Sequence, residues 1–111
     1  MSQKQIDPVA KEFARRLRET FGETISEIVL FGSRAKGEPH GDSDYDFLVV
    51  VKAERFPRKE RLQIFNQAIK IMMQLCDVDT DVLVMTEREK AEQVDKPYTV
   101  VYQAFQEGAH L

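Results

Sequence analysis

The chain has little of what several protein classes require. Its lone cysteine, Cys76, cannot form an internal disulfide, and because it closes an apolar helical stretch it is read as packing, with no chemistry assigned. The two histidines, His40 and His110, have no companions at metal-ligand spacing and are read as solvated. The longest apolar run, Phe47 to Val51, is far short of a bilayer span, and the first residues are polar, so neither a membrane segment nor a signal peptide is expected and the reading is cytoplasmic. Excess positive charge is also missing: the net charge is −3 and the isoelectric point is near 5.4. A general nucleic-acid binder would carry a basic footprint, so that partner class is disfavoured. No repeat or low-complexity linker interrupts the chain.

What is present fits one modest core. At 111 residues and 42% hydrophobic content, the expectation is a single domain over residues 1–111, without a separate lobe for a second substrate. Val9, Phe13, Leu17 and Phe21 recur every four residues, with Asp7 as N-cap before Pro8 and Gly22 as the stop, which predicts a helix over 8–21. Ile25 to Phe31 and Tyr45 to Val51 predict strands, the second buried on both faces and therefore central. A helix from near Pro57 to Leu75 is expected to bury Leu62, Phe65, Ile69, Met72 and Met73. A third strand over 81–85, a polar segment and a final helix carrying Val100, Val101, Ala104 and Phe105 complete the order. The result is an α/β or α+β domain with a small, three-stranded sheet flanked by helices.

Chemistry concentrates in residues 31–51. One strand delivers Gly32 and Ser33, and after ten residues the chain returns with Asp44-Tyr45-Asp46. Carboxylates at i and i+2 of a strand project from one face, about 6–7 Å apart at the backbone, and can share a metal. Mg²⁺ favours a few carboxylates together with water and phosphate oxygens. Gly32 would let backbone approach a phosphate, Ser33 would donate to it at the first turn of a short helix, and Arg34 or Lys36 would add local positive charge. Isolated aspartates before a strand usually mark a polar turn, but Asp46 sits within the mouth of an apolar strand, where an uncompensated carboxylate is costly. A third acid comes from Asp79-Thr80-Asp81. Asp81 is chosen over Asp79 because it directly precedes the apolar run, as Asp46 does. Tyr45, between the metal acids, should face the other side of its strand and pack. The remaining basic groups, Arg15, Arg16 and Arg18 and then Arg55, Arg58, Lys59 and Arg61, are read as solvated faces.

The combination of Gly-Ser, ten residues, Asp-x-Asp and a later strand aspartate resembles the DNA polymerase β-type nucleotidyltransferase superfamily, and within it the minimal nucleotidyltransferases of bacteria and archaea. The resemblance implies that Gly32 and Ser33 bind the triphosphate, with Arg34 and Lys36 as further nucleotide contacts. It implies that Asp44 and Asp46 coordinate Mg²⁺, with two ions expected, and that Asp81 completes the metal site and activates the acceptor. ATP is the expected substrate. The resemblance further implies an antitoxin that transfers AMP to a tyrosine of a HEPN-domain toxin. A domain this small can cradle a nucleotide but hardly enclose a second small substrate, which independently favours a macromolecular acceptor. The alternatives are a module that neutralises such a partner by contact alone, an enzyme acting on a small molecule, and nucleic-acid tailing. The sequence leaves the nucleobase, the acceptor and any homo-oligomer open.

Overall fold

The computed structural model describes residues 7–35, 44–52 and 57–111. Helix α1 spans Pro8–Phe21, and a single 3₁₀ turn over Gly22–Thr24 leads into strand β1, Ile25–Phe31. Strand β2 is Tyr45–Val51, helix α2 Arg58–Leu75 and strand β3 Thr80–Thr86. Helices α3, Glu87–Gln93, and α4, Val100–Glu107, precede a two-residue strand β4, Ala109–His110.

The start of α1 is fixed by its cap: Asp7 Oδ1 accepts from the backbone N–H groups of Val9 at 2.8 Å and Ala10 at 3.2 Å. Gly22 ends the helix with a φ of 58°, a left-handed geometry that glycine adopts without penalty. Helix α3 is built differently. Its sequence has no apolar period, but Thr86 and Glu89 form a reciprocal capping box, with Glu89 N–H to Thr86 Oγ1 at 3.1 Å and Thr86 N–H to Glu89 Oε1 at 3.0 Å.

The sheet runs in the order β3-β2-β1-β4. Strand β2 is antiparallel to β1 and parallel to β3, and β4 pairs antiparallel with β1. The sheet is therefore mixed, with one strand beyond the three expected. Strand β4 is too short to show in the sequence and exists by pairing with Val29 and Leu30.

Helices α1 and α2 cover one face, where Phe13, Leu17, Ile64, Ala68 and Met72 pack on Ile28, Phe47 and Val49. Helix α4 covers the other, where Val101 and Ala104 meet Val29, Leu48, Val50 and Met85. The buried stripe of α2 departs from the expectation. It consists of Ile64, Ala68, Ile71 and Met72, whereas Leu62 and Met73 are 48% and 75% exposed. Of the five residues expected in the core, Met72 is fully buried and Phe65 and Ile69 pack half-buried against its edge, because the helix carries two apolar stripes and the sheet takes one of them in full.

Candidate active site

The site begins at the end of β1, where Phe31 pairs across the sheet with Asp46. The next residue, Gly32, has a φ of 79°, and a Cβ placed there would lie 2.5 Å from Asp46 Oδ2. The positive φ favours glycine at this position, and a Cβ would in addition press on the Asp46 carboxylate, which would have to shift. The chain then turns, with the Ala35 N–H donating to the Gly32 carbonyl at 3.1 Å, and Ser33 is exposed on that turn. Lys36 and the rest of the loop through Ser43 lie outside the described residues, as does any helix continuing from the turn.

The acids arrive from two parallel strands. Asp46 of β2 stands in register with Asp81 of β3. Registered residues of adjacent parallel strands, about 4.8 Å apart, point to the same side. Asp44, two residues before Asp46, is exposed at the mouth of β2. Burial pushes the Asp46 carboxyl above the usual carboxylate range, and the negative charges of Asp81 and then Asp44 push it the same way. Each is therefore close enough to raise the cost of ionising Asp46. Asp79 precedes the strand, where its carbonyl accepts the Tyr45 N–H at 3.0 Å.

Among the described residues, no group of three or more His, Cys, Asp or Glu side chains is placed so that it could hold a metal ion. A cleft of about 260 Å³ opens beside the acids, lined by Phe31, Gly32 and Asp46 and walled by Val100, Gln103 and Glu107 of α4. The α4 wall was not visible in the sequence. Nothing in the pattern of that helix distinguishes residues facing a cleft from residues facing solvent.

The opposite side of β2 supports the site. Tyr45 is buried, and its hydroxyl donates to Asp7 Oδ2 at 2.8 Å. The Arg34 guanidinium lies 4.2 Å from the Tyr45 ring centroid, donates to the tyrosine hydroxyl at 3.2 Å and sits 3.8 Å from Asp7 Oδ2. Through these contacts Arg34 joins the turn after Gly32 to Tyr45 and to the start of α1. Asp7 was legible as a helix cap but not as the anchor of this group. Its second oxygen finds Tyr45 only through tertiary packing. Burial, followed by the hydrogen bond to Asp7, pushes the Tyr45 hydroxyl well above its ordinary value, so it stays protonated.

A mixed sheet that sets Asp46 in register with Asp81 beside a glycine turn, covered by α1 and α2 on one face and α4 on the other, defines the fold. The nucleotidyltransferase domain family matches residues 10–106, and the chain belongs to that family. A protein of Methanocaldococcus jannaschii, provisionally named a protein adenylyltransferase, is 36% identical over 69 residues, which are 62% of this chain and 47% of the relative. The chain thus spans about half the length of the curated relative it matches. Among solved structures, a provisionally named nucleotidyltransferase from Sulfolobus solfataricus is 27% identical with a TM-score of 0.52, over 76% of this chain and 69% of that one. A toxin–antitoxin structure solved with AMP-PNP shares the fold at 20% identity and a TM-score of 0.57, over 90% of this chain and 70% of that one.

Proposed function

We propose that the chain is a Mg²⁺-dependent nucleotidyltransferase that moves AMP from ATP to a hydroxyl of a partner protein, as the antitoxin of a pair whose toxin is a HEPN-domain protein. The observation that carries the chemistry is the register of Asp46 with Asp81 beside Gly32. The choice of ATP and of a protein acceptor draws on the AMP-PNP in the toxin–antitoxin neighbour and on the name of the M. jannaschii relative.

The donor set fits Mg²⁺. Asp46 is held above its usual range by burial and by two neighbouring acids, a cost that a divalent cation relieves. The described carboxylates do not by themselves make a metal site, so substrate phosphate oxygens and water would have to supply most of the shell, which this ion accepts. Asp44 and Asp46 would hold it, with Asp81 completing the site. When bound, Mg²⁺ supplies positive charge that offsets the triphosphate and the charge developing during transfer.

The chain's own residues do the rest. Gly32 and the exposed Ser33 present N–H and hydroxyl donors to the phosphates, and Lys36 adds charge from the same loop. Arg34, on the same turn and bound to Tyr45 and Asp7, would be a further nucleotide contact beside Lys36. Asp81 accepts the proton of the attacking hydroxyl, whose oxygen bonds to the α-phosphorus as the α–β bond breaks and pyrophosphate leaves.

The test is to incubate the protein with ATP, Mg²⁺ and the product of any HEPN-type gene adjacent to its own, and to measure intact masses. The expected result is a partner heavier by one or more AMP units, dependent on Mg²⁺ and lost with Asp46→Asn. Tight complex formation without any mass gain would overturn transfer and leave neutralisation by contact.

A further inference from the structure

The second apolar stripe of α2 is only partly used within the chain: Phe65 and Ile69 pack against the core from its edge, while Leu62 and Met73 are exposed. Leu62, Phe65, Ile69 and Met73 recur at helical spacing and form a ridge turned away from the core stripe. Leu62 and Met73 are largely exposed, while Phe65 and Ile69 are half-buried. At its C-terminal end the ridge runs into a hollow of about 480 Å³ lined by Ile69, Met73, Cys76 and Val78, together with Asp77 and Asp79.

The charges at the two ends of α2 are arranged against its own dipole. Arg58 and Lys59 occupy the first turn, where Glu60 is the acid, and the last turn holds no basic residue before Asp77 and Asp79 follow. An isolated helix favours the reverse placement. Two such helices laid antiparallel correct one another, because each basic start meets an acidic end.

We propose that this face of α2 is the interface of a homodimer, with a second copy packed antiparallel across a two-fold axis that crosses the helix near Gln67 and Ala68. One register joins the exposed apolar ends and the charged ends. It sets Leu62 against Met73 of the second copy and Arg58 against Asp77, so that the Arg58 side chain enters the acidic hollow, while Phe65 and Ile69 lie opposite the polar side chains of Lys70 and Asn66. An isologous interface requires this self-complementarity. A partner of unrelated sequence would not require one register to pair the apolar and the charged positions of this helix with themselves. The interface lies away from the cleft and is independent of the transfer chemistry.

Sedimentation of the full chain from micromolar to hundreds of micromolar tests the proposal, with circular dichroism to check each variant's fold. The wild type is expected to pass from the 12.9 kDa protomer to twice that mass. Met73→Asp is expected to weaken association by about tenfold or more, as a charge placed in an apolar contact does. Arg58→Glu should weaken it several-fold, and Arg58→Glu combined with Asp77→Arg should restore it. These three positions are exposed, so the protomer's fold should persist. A wild type that stays monomeric throughout, a dimer indifferent to Met73→Asp, or a double charge swap no better than the single one would overturn the interface. A monomer whose Met73→Asp variant loses binding to the purified HEPN-domain protein would also overturn it, and would assign the ridge to that protein.

Discussion

On one face of β2, Tyr45, Phe47 and Val49 are buried, and the Tyr45 hydroxyl is satisfied by Asp7 and Arg34. On the other face, one residue along the strand, Asp44 and Asp46 gather with Asp81 into like charge. The first face is organised for stability: the Phe47 ring stacks on Phe13 at 4.1 Å and on Tyr45 at 5.8 Å between centroids. The second carries a like-charge repulsion that raises the Asp46 pKa, a cost that protonation relieves and that a cation would relieve under the proposed function. Strand alternation lets seven residues serve both purposes, with the rigid face fixing where the strained one points.

Substitutions should separate the two faces cleanly. The largest effect expected is on activity: Asp46→Asn or Asp81→Asn should lower AMP transfer by about a thousandfold, measured as labelled product per minute, while the cooperative thermal transition survives. Transfer within tenfold of wild type in either variant would dissolve the functional half of the contrast. Phe47→Ala should do the opposite. It should cost about 3–5 kcal/mol in urea unfolding, with the residual folded fraction still able to bind nucleotide, and a cost below about 1 kcal/mol would show that the aromatic stack is not the anchor.

Gly32→Ala sits on the border between the faces. It combines an unfavourable φ of 79° with a Cβ forced against Asp46, so a loss of about 1–3 kcal/mol should accompany reduced transfer. Wild-type values of both would mean that the turn relaxes freely.

The smallest effect concerns pH. Because the Asp46 pKa is raised on folding, the native state holds the proton more tightly than the unfolded chain, and this group's contribution to stability falls as pH rises from the ordinary aspartate range through the raised value. Metal-free Asp46→Asn should therefore melt above wild type at neutral pH, by a gain within about 1 kcal/mol. The difference should shrink as the solution is acidified, and a gap that widened toward low pH would contradict the stated sign.

Legibility in the sequence followed the same division. The bounds of α1, β1 and β2 could be read because strong local signals agreed with tertiary placement: Asp7 and Pro8 at a helix start, Gly22 at its end, and apolar runs closed by Gly32 or opened by an acid. The acids stood out because a carboxylate abutting a buried run is costly enough to need a reason. Helix α2 misled because both stripes, Leu62 to Met73 and Ile64 to Met72, have helical spacing, and periodicity alone cannot say which faces a sheet. Helix α3 carried a usable signal in Thr86 and Glu89, but its polar composition hid it. Arg34 shows a different limit. A cation after Gly-Ser suits a phosphate, and only the fold shows that an aromatic ring and a carboxylate hold it first.

The most direct test of the acid face as a nucleotide site is calorimetric titration of the protein with a non-hydrolysable ATP analogue, with and without Mg²⁺, for the wild type and for Asp46→Asn with Asp81→Asn. The account predicts binding by the wild type that requires Mg²⁺ and disappears in the double variant. Equal affinity in the absence of Mg²⁺, or undiminished Mg²⁺-dependent binding by the double variant, would contradict it.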